Sequence, residues 1–162
     1  MAILPIRTLP DPVLRRKTKR VTTIDRTIKR LVADMRETLH ADDGRVGLAA
    51  NQVGVSLRIT VIGIPEEEDI VLINPEIVRR RGERLVSEGC LSVPGYMGEL
   101  NRSETVTVKG LDMQGKPVRI KAEGLLAQAL EHEIDHLNGK LYIDHPGCQD
   151  TLRKVQPEDT EI

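Results

Sequence analysis

The chain has 162 residues, with 24 Lys or Arg and 25 Asp or Glu, so its formal net charge at pH 7 is -1. This length predicts a single domain, and the balanced charge favours neither nucleic acid nor an anionic membrane as a partner. There is no Phe or Trp and there are only two Tyr, so the aromatic platforms that bind single-stranded nucleic acid would lack their side chains. We therefore predict no direct nucleic-acid binding.

The N-terminal region is predicted to be an extended lead-in followed by an amphipathic helix. Prolines and a basic patch within residues 1–23 favour an extended chain that wraps the domain, and no apolar run reaches signal-peptide or membrane-span length. This predicts a cytoplasmic protein without a membrane partner. From Asp25, a plausible N-cap, to about residue 40, apolar residues recur at helical spacing; they are Ile24, Ile28, Leu31, Met35 and Leu39.

Residues 45–54 follow a loop and are rich in glycine and alanine. Small residues let a backbone lie close to a ligand, whose amides can pair with it as an added strand, so Val46 and Gly47 are candidate substrate-binding residues. Gln52 could donate a hydrogen bond to a developing oxyanion. The alternative is a tight turn without function, and this segment alone does not decide between the two.

Strand-like segments fill the middle of the chain. Their β-branched or alternating residues predict an antiparallel pair, a further strand and a β-hairpin. These segments are residues 57–64 and 69–74 for the pair, 77–86 for the further strand, and 105–110 with 117–121 for the hairpin. Asn74-Pro75 is expected to separate the pair from the further strand, which leads to Cys90 in a constrained turn.

A second helix is predicted to begin at Gly124 and to stop at Asn138-Gly139. Two neighbouring rows of its side chains are expected to face the interior; they are Leu125, Ala129, His132 and His136, and then Leu126, Leu130, Glu133 and Leu137. An ion held by the histidines would lie at the floor of an apolar pocket. Leu125 and Ala129 are therefore candidate substrate-binding residues.

Residues 132–136 have the sequence His-Glu-Ile-Asp-His, which is the pattern of a hydrolytic metal site. Histidines four residues apart on a helix can point at a common ion, while Glu133 stands beside them, free to handle a proton. The alternative is two surface histidines on an amphipathic helix. Because the chain has only four histidines, two of them bracketing a glutamate at this spacing favour the metal site.

The third metal ligand has three candidate sources. A catalytic ion of this type keeps three protein ligands and an open position. One metalloprotease pattern requires a histidine where this chain has Tyr142, and another takes a downstream glutamate, for which only Glu158 and Glu161 are available. The remaining candidate is Cys90, whose thiolate together with two imidazoles suits Fe²⁺, Zn²⁺, Co²⁺ or Ni²⁺. A disulfide between Cys90 and Cys148 is a less economical use of that cysteine.

At these residues the chain resembles the peptide deformylase family. Three segments match that family's motifs in the same order: Gly47-Leu48-Ala49-Ala50-Asn51-Gln52, Glu88-Gly89-Cys90-Leu91-Ser92 and His132-Glu133-Ile134-Asp135-His136. The similarity spans roughly residues 5–145. It implies a single α+β domain, taken as residues 1–150, with antiparallel strands packed around the second helix. The polar composition of residues 151–162, which include Pro157, predicts a short, flexible tail.

The resemblance also implies an activity, namely hydrolysis of the formyl group from the N-terminal formyl-methionine of newly made polypeptides. It implies one divalent ion per chain, with Fe²⁺ the first choice in the cell and Zn²⁺, Ni²⁺ or Co²⁺ as other occupants. It assigns Cys90, His132 and His136 as ligands, Glu133 as general acid and base, and Gln52 with the Leu91 backbone N–H as the oxyanion site. An HExxH-type metallopeptidase and a non-catalytic metal- or peptide-binding relative are the alternatives.

The sequence departs from the family pattern at three places. Arg45 stands where the first motif has glycine, and Glu131 stands where the third is preceded by glutamine. The C-terminal segment also lacks the long basic helix that some members use to dock on the ribosome. The resemblance makes N-formylmethionyl nascent polypeptides the expected partner. The missing helix leaves ribosome contact open.

Overall fold

The computed structural model describes residues 2–155, which form two α-helices, several 3₁₀ turns and eight strands. The helices are α1 (Arg26–Leu39) and α2 (Gly124–Leu137). The strands are β1 (Gly47–Ala49), β2 (Ile59–Ile62), β3 (Ile70–Arg81), β4 (Arg84–Cys90), β5 (Val93–Arg102), β6 (Thr105–Leu111), β7 (Pro117–Glu123) and β8 (Arg153–Lys154). Within the described residues no helix is long and apolar enough to cross a membrane.

The strands form two antiparallel sheets. A five-stranded sheet has the order β1-β2-β3-β6-β7, and a three-stranded sheet has the order β4-β5-β8. The predicted α+β fold is confirmed, and β6 and β7 form the predicted hairpin. The predicted pair at residues 57–64 and 69–74 corresponds to β2 and the first part of β3.

The two helices pack on opposite faces of the five-stranded sheet. Side chains on successive residues of a strand point to opposite faces. In β2, Ile59 and Val61 pack with α1, whereas Ile62 packs with α2. The side chain of Asp25 accepts a hydrogen bond from the Ile28 N–H and caps α1.

α2 is almost entirely enclosed. Ten of its residues are buried, among them Leu130 and Leu137, each contributing about 1.5–3 kcal/mol by leaving water. The same helix also buries His132, Glu133 and His136. Polar side chains buried in this way need hydrogen-bonding or ion-pair partners. These three side chains and their partners form the candidate functional site.

The prediction that Asn74-Pro75 ends a strand is wrong, because β3 continues through both residues. The Asn74 side chain accepts from the Val21 N–H at 2.8 Å and donates to the Val21 carbonyl at 2.9 Å. These are the two hydrogen bonds that the backbone of a neighbouring strand would otherwise form with Val21. Asn74 has φ 54, and the pairing of β3 with β6 shifts register at this point. The side chain thus stabilises a bulge rather than a chain break.

Two further predictions for the strands need correction. The single strand predicted over residues 77–86 is divided between β3 and β4 by a turn at Gly82, which has φ 68. Strand β5 was not predicted; it pairs with β4 along most of its length, from Arg84 opposite Arg102 to Gly89 opposite Met97. This second sheet carries Cys90 towards α2.

The lead-in and the C-terminal segment both join the body of the domain. The N–H groups of Arg7 and Leu9 donate to the carbonyls of Gln52 and Ser92, at 2.7 and 3.0 Å. At the other end Arg153–Lys154 pair with β5, so two residues of the predicted tail belong to the second sheet. The rest of that tail, residues 156–162, lies outside the described residues.

Candidate metal centre and active site

One buried cluster contains Cys90 from the end of β4 and His132 and His136 from α2. Their ligand atoms all lie within 4.8 Å of one another, and the three residues are buried. The Nε2 atoms of the two histidines are 3.1 Å apart, and Cys90 Sγ is 3.2 Å from His136 Nε2. Nitrogen ligands about 2.0–2.1 Å from one tetrahedral ion lie roughly 3.3 Å from each other, so this spacing and this donor set fit a transition-metal ion.

Local structure explains how these side chains meet. The histidines lie one turn apart on α2, and Cys90 is the last residue of β4, where the pairing with β5 shifts register after Gly89. The Ser92 N–H lies 3.4 Å from Cys90 Sγ and points a donor at the sulfur. This contact helps to fix the position of the sulfur atom.

His132 is oriented by a buried ion pair. Its Nδ1 lies 2.7 Å from Glu88 Oε1, which leaves Nε2 facing the cluster. Arg102 donates to both oxygens of the same carboxylate, each at 2.7 Å. Burial favours a higher pKa for Glu88, but Arg102 and His132 outweigh it and hold the pKa well below its usual range. Glu88 therefore stays ionised and fixes the His132 ring.

The ion pair extends to a second acidic group. Asp135 Oδ2 accepts from Arg102 Nη1 at 2.8 Å and lies 2.8 Å from His145 Nε2, while Gln128 donates to Glu88 at 3.1 Å. Sequence reasoning assigned none of these residues a role. Glu88 and Asp135 belonged to the quoted motifs, which was a signal. Arg102 had no such signal, because a charged residue in a polar segment is expected to be exposed.

Glu133 has the properties of a proton carrier. Its carboxyl group is fully buried, and among the described residues neither oxygen has a hydrogen-bond partner. Burial raises the pKa of Glu133 to about 7. A Cβ placed on Gly47 would lie 2.5 Å from Glu133 Oε2, so the absence of a side chain at Gly47 makes room for this carboxyl group.

Gln52 is held with its amide nitrogen towards the cluster. Its Oε1 accepts from the Ala49 N–H at 3.0 Å, and its Nε2 lies 3.2 Å from Ser92 Oγ and 3.8 Å from Cys90 Sγ. Leu91 lies in the short turn between Cys90 and Ser92. The structure therefore brings the predicted oxyanion residues to the rim of the predicted ligand cluster.

The predicted substrate-binding residues occupy different environments. Val46 and Ala129 are buried in one apolar cluster, whereas Leu125 is 38% exposed on the first turn of α2. The Val46 carbonyl accepts from the Gly63 N–H at 2.7 Å, so the backbone of Val46 faces the neighbouring strand. Alternation along β1 then turns the backbone groups of Gly47 to the open edge of the sheet.

The two substituted motif positions, Arg45 and Glu131, make structural contacts away from the ligand cluster. Arg45 donates to the Thr38 carbonyl at the end of α1 and pairs with Asp42 at 2.9 Å. Glu131 accepts from the Ser103 N–H at 2.7 Å and from Arg80 at 3.1 Å.

Cys148 is a free, buried cysteine that packs in the same apolar cluster as Cys90, together with Leu100 and Tyr142. The ring of Tyr142 also stacks over His132, with centroids 6.3 Å apart. Tyr142, which occupies the third-ligand position of the metalloprotease pattern, therefore packs against the predicted ligand His132.

A buried Cys-His-His cluster beside an unpartnered carboxyl group, in an α+β domain, defines a hydrolase of the metal-dependent class. The model of the polypeptide deformylase family matches residues 3–151 of the chain. The chain belongs to this family.

Relatives and solved structures agree with that assignment. The peptide deformylase of Dehalococcoides mccartyi is 58% identical over 160 residues, covering 98% of this chain and 95% of that protein. A crystal structure of the Legionella pneumophila peptide deformylase is 52% identical with a TM-score of 0.85, covering 89% of this chain and 86% of that one. The Ehrlichia chaffeensis enzyme in complex with actinonin is 42% identical with a TM-score of 0.86, covering 90% and 89%.

Proposed function

We propose that this chain hydrolyses the formyl group from the N-terminal formyl-methionine of newly made polypeptides and releases formate. The observation that carries the proposal is the buried carboxyl group of Glu133, which has no protein partner among the described residues and lies beside the Cys90, His132 and His136 cluster. A purely structural carboxyl group buried this deeply would be expected to have hydrogen-bond partners. Membership of the polypeptide deformylase family indicates deformylation as the reaction in which this carboxyl group would transfer protons.

We propose Cys90, His132 and His136 as the ligands of one divalent ion. The mixed thiolate and imidazole donors suit Fe²⁺, Zn²⁺, Ni²⁺ or Co²⁺, and we propose Fe²⁺ for the cell. When bound, such an ion supplies Lewis acidity, which acidifies a water molecule and polarises a carbonyl. The Glu88 carboxylate, by fixing the His132 ring, holds one ligand in the orientation that binding requires.

Glu133 is proposed to act as general base and then as general acid. With a pKa of about 7, its carboxyl group can take a proton from the attacking water and return it to the leaving amine near neutral pH. Gln52 and the Leu91 backbone N–H are proposed to donate to the formyl oxygen as negative charge develops there. Removing one such donor typically costs roughly 10²–10³ in rate.

The substrate is proposed to bind as an added strand at β1. The backbone groups of Gly47 face the open edge of the five-stranded sheet, where an extended peptide can pair with them. Val46, Ala129 and Leu125 would then surround the first side chain. An apolar pocket of this kind favours an unbranched apolar side chain such as methionine, so equal rates for formyl-Met and formyl-Asp peptides would contradict it.

The proposed partner is the nascent polypeptide itself, in the bacterial cytoplasm where formylated chains are made. Ribosome contact is left open. The flexible tail stays a prediction for residues 156–162, which lie outside the described residues.

Formate release from a formyl-Met peptide is the decisive assay, with protein purified without oxygen and analysed for metal. We expect formate without cleavage of internal peptide bonds; internal cleavage without formate would favour the metallopeptidase alternative. Glu133→Gln should keep the metal and lose most turnover, because the amide preserves shape and cannot accept a proton. Retained near-normal kcat in that variant would remove Glu133 from the mechanism.

A further inference from the structure

Ser92 connects the two halves of the site through three separate hydrogen bonds. Ser92 is fully buried. Its N–H lies 3.4 Å from Cys90 Sγ, its Oγ lies 3.2 Å from Gln52 Nε2, and its carbonyl accepts from the Leu9 N–H at 3.0 Å. The proton-transfer and metal-binding roles described above leave the hydroxyl group of Ser92 unused.

The hydroxyl group acts on the orientation of the Gln52 amide. At one end of that amide, Oε1 accepts from the Ala49 N–H at 3.0 Å. A backbone N–H can only donate, so turning the amide over would place two donors against each other. At the other end, Ser92 Oγ accepts one hydrogen of Nε2. The second hydrogen is then left for an acceptor on the side of the ligand cluster.

We propose that Ser92 is a positioning residue that fixes the Gln52 amide, so that one N–H is aimed where the formyl oxygen develops charge. This rests on the proposed function, because it gives Gln52 the same oxyanion role. Ser92 acts through Gln52 and does not touch the reacting atoms. If the Gln52 amide could rotate, its N–H would point away from the formyl oxygen for part of the time. A donor that is already oriented needs no reorientation energy during the reaction.

The test is Ser92→Ala, which removes Oγ and keeps the backbone N–H to Cys90. We expect kcat to fall roughly tenfold, well below the loss of roughly 10²–10³ for removing a donor outright, with KM and metal content unchanged. The matched control is Ser103→Ala, another buried serine, whose hydroxyl donates to Glu131 at 3.0 Å. Its kcat should stay within about twofold of the wild type.

A double-mutant cycle separates positioning from general damage. In a Gln52→Leu background, Ser92→Ala should cause no further loss of kcat, since the group it positions is gone. The same loss in both backgrounds, a change confined to KM, or an unchanged kcat would each overturn the proposal. If the alanine variant does not fold, Ser92→Thr and Ser92→Val give a pair of similar volume, of which only the threonine variant should retain turnover.

A spectroscopic readout makes the proposal independent of activity. The side-chain amide resonance of Gln52, assigned by its loss in Gln52→Leu, should be sharp and slow to exchange with water in the metal-free wild type. Ser92→Ala should shift it and speed its exchange, and Ser103→Ala should leave it unchanged. An unaffected resonance in Ser92→Ala refutes the hydrogen bond. An inactive wild type with the expected shift would refute the proposed function and leave the contact established.

Discussion

Adding one methyl group at Gly47 should displace the Glu133 carboxyl group. A Cβ at this position would lie 2.5 Å from Oε2 and 2.9 Å from both Cδ and Cγ of Glu133, whereas ordinary contact begins at 3.4 Å. Gly47→Ala therefore forces the carboxyl group to move by roughly 0.9 Å. Misplacement of a catalytic group by about 1 Å can cost roughly 10²-fold in rate, so we expect kcat to fall by about that factor. Overpacking should lower stability by about 1–3 kcal/mol.

The assay is steady-state formate release, with metal analysis and thermal unfolding of the same preparations. Gly63→Ala is the matched control, because its Cβ would lie 3.1 Å from Asp69 Oδ1 and Leu39 Cδ2, away from Glu133. It should lose stability and keep kcat. If Gly47→Ala raised KM and left kcat within about threefold of the wild type, Gly47 would serve the substrate alone and the steric argument would be refuted.

Three further outcomes are expected. Cys90→Ala should abolish the sulfur-to-metal charge-transfer band of the Co²⁺ protein, whereas Cys148→Ala should leave band, metal content and activity unchanged; an intact band without Cys90 would move the third ligand elsewhere. Arg102→Met should lower the free energy of unfolding in urea by about 3–5 kcal/mol, since it leaves the Glu88 carboxylate buried without its guanidinium partner, and a loss below 1 kcal/mol would contradict that. Glu131→Gln should keep kcat within about twofold, because the side chain of Glu131 forms its hydrogen bonds with Ser103 and Arg80.

Local patterns were sufficient for the helices and the hairpin. The apolar spacing of α1 and α2 and the turn between β6 and β7 are properties of neighbouring residues, so the sequence displays them directly. Strand β5 is different, because it contains Pro94, Gly95 and Gly98 and shows no clear alternation. It is a strand because β4 lies beside it, and pairing between distant segments leaves little trace in one of them.

The same distinction applies to the site. The proximity of His132, His136 and Glu133 could be predicted because their helical spacing carries its own geometry, whereas the resemblance to the family was needed to add Cys90. The Glu88–Arg102 pair could not, since nothing local indicates that two oppositely charged residues fourteen positions apart are buried together. The close approach of Gly47 to Glu133 also could not be predicted from the sequence. Glycine in a Gly-Ala segment has many uses, and only the packed structure shows which carboxyl group it accommodates.

The five-stranded sheet ends at β1 on one side and at β7 on the other. An exposed edge offers unpaired N–H and C=O groups to any other strand, which is how aggregation begins. β7 starts at Pro117 and exposes Arg119, Lys121 and Glu123, so charge and proline discourage pairing there. β1 has only three residues. An edge this short is too brief to seed a growing sheet, so the proposed binding of a peptide strand at β1 would not require an edge that also promotes association between copies of the chain.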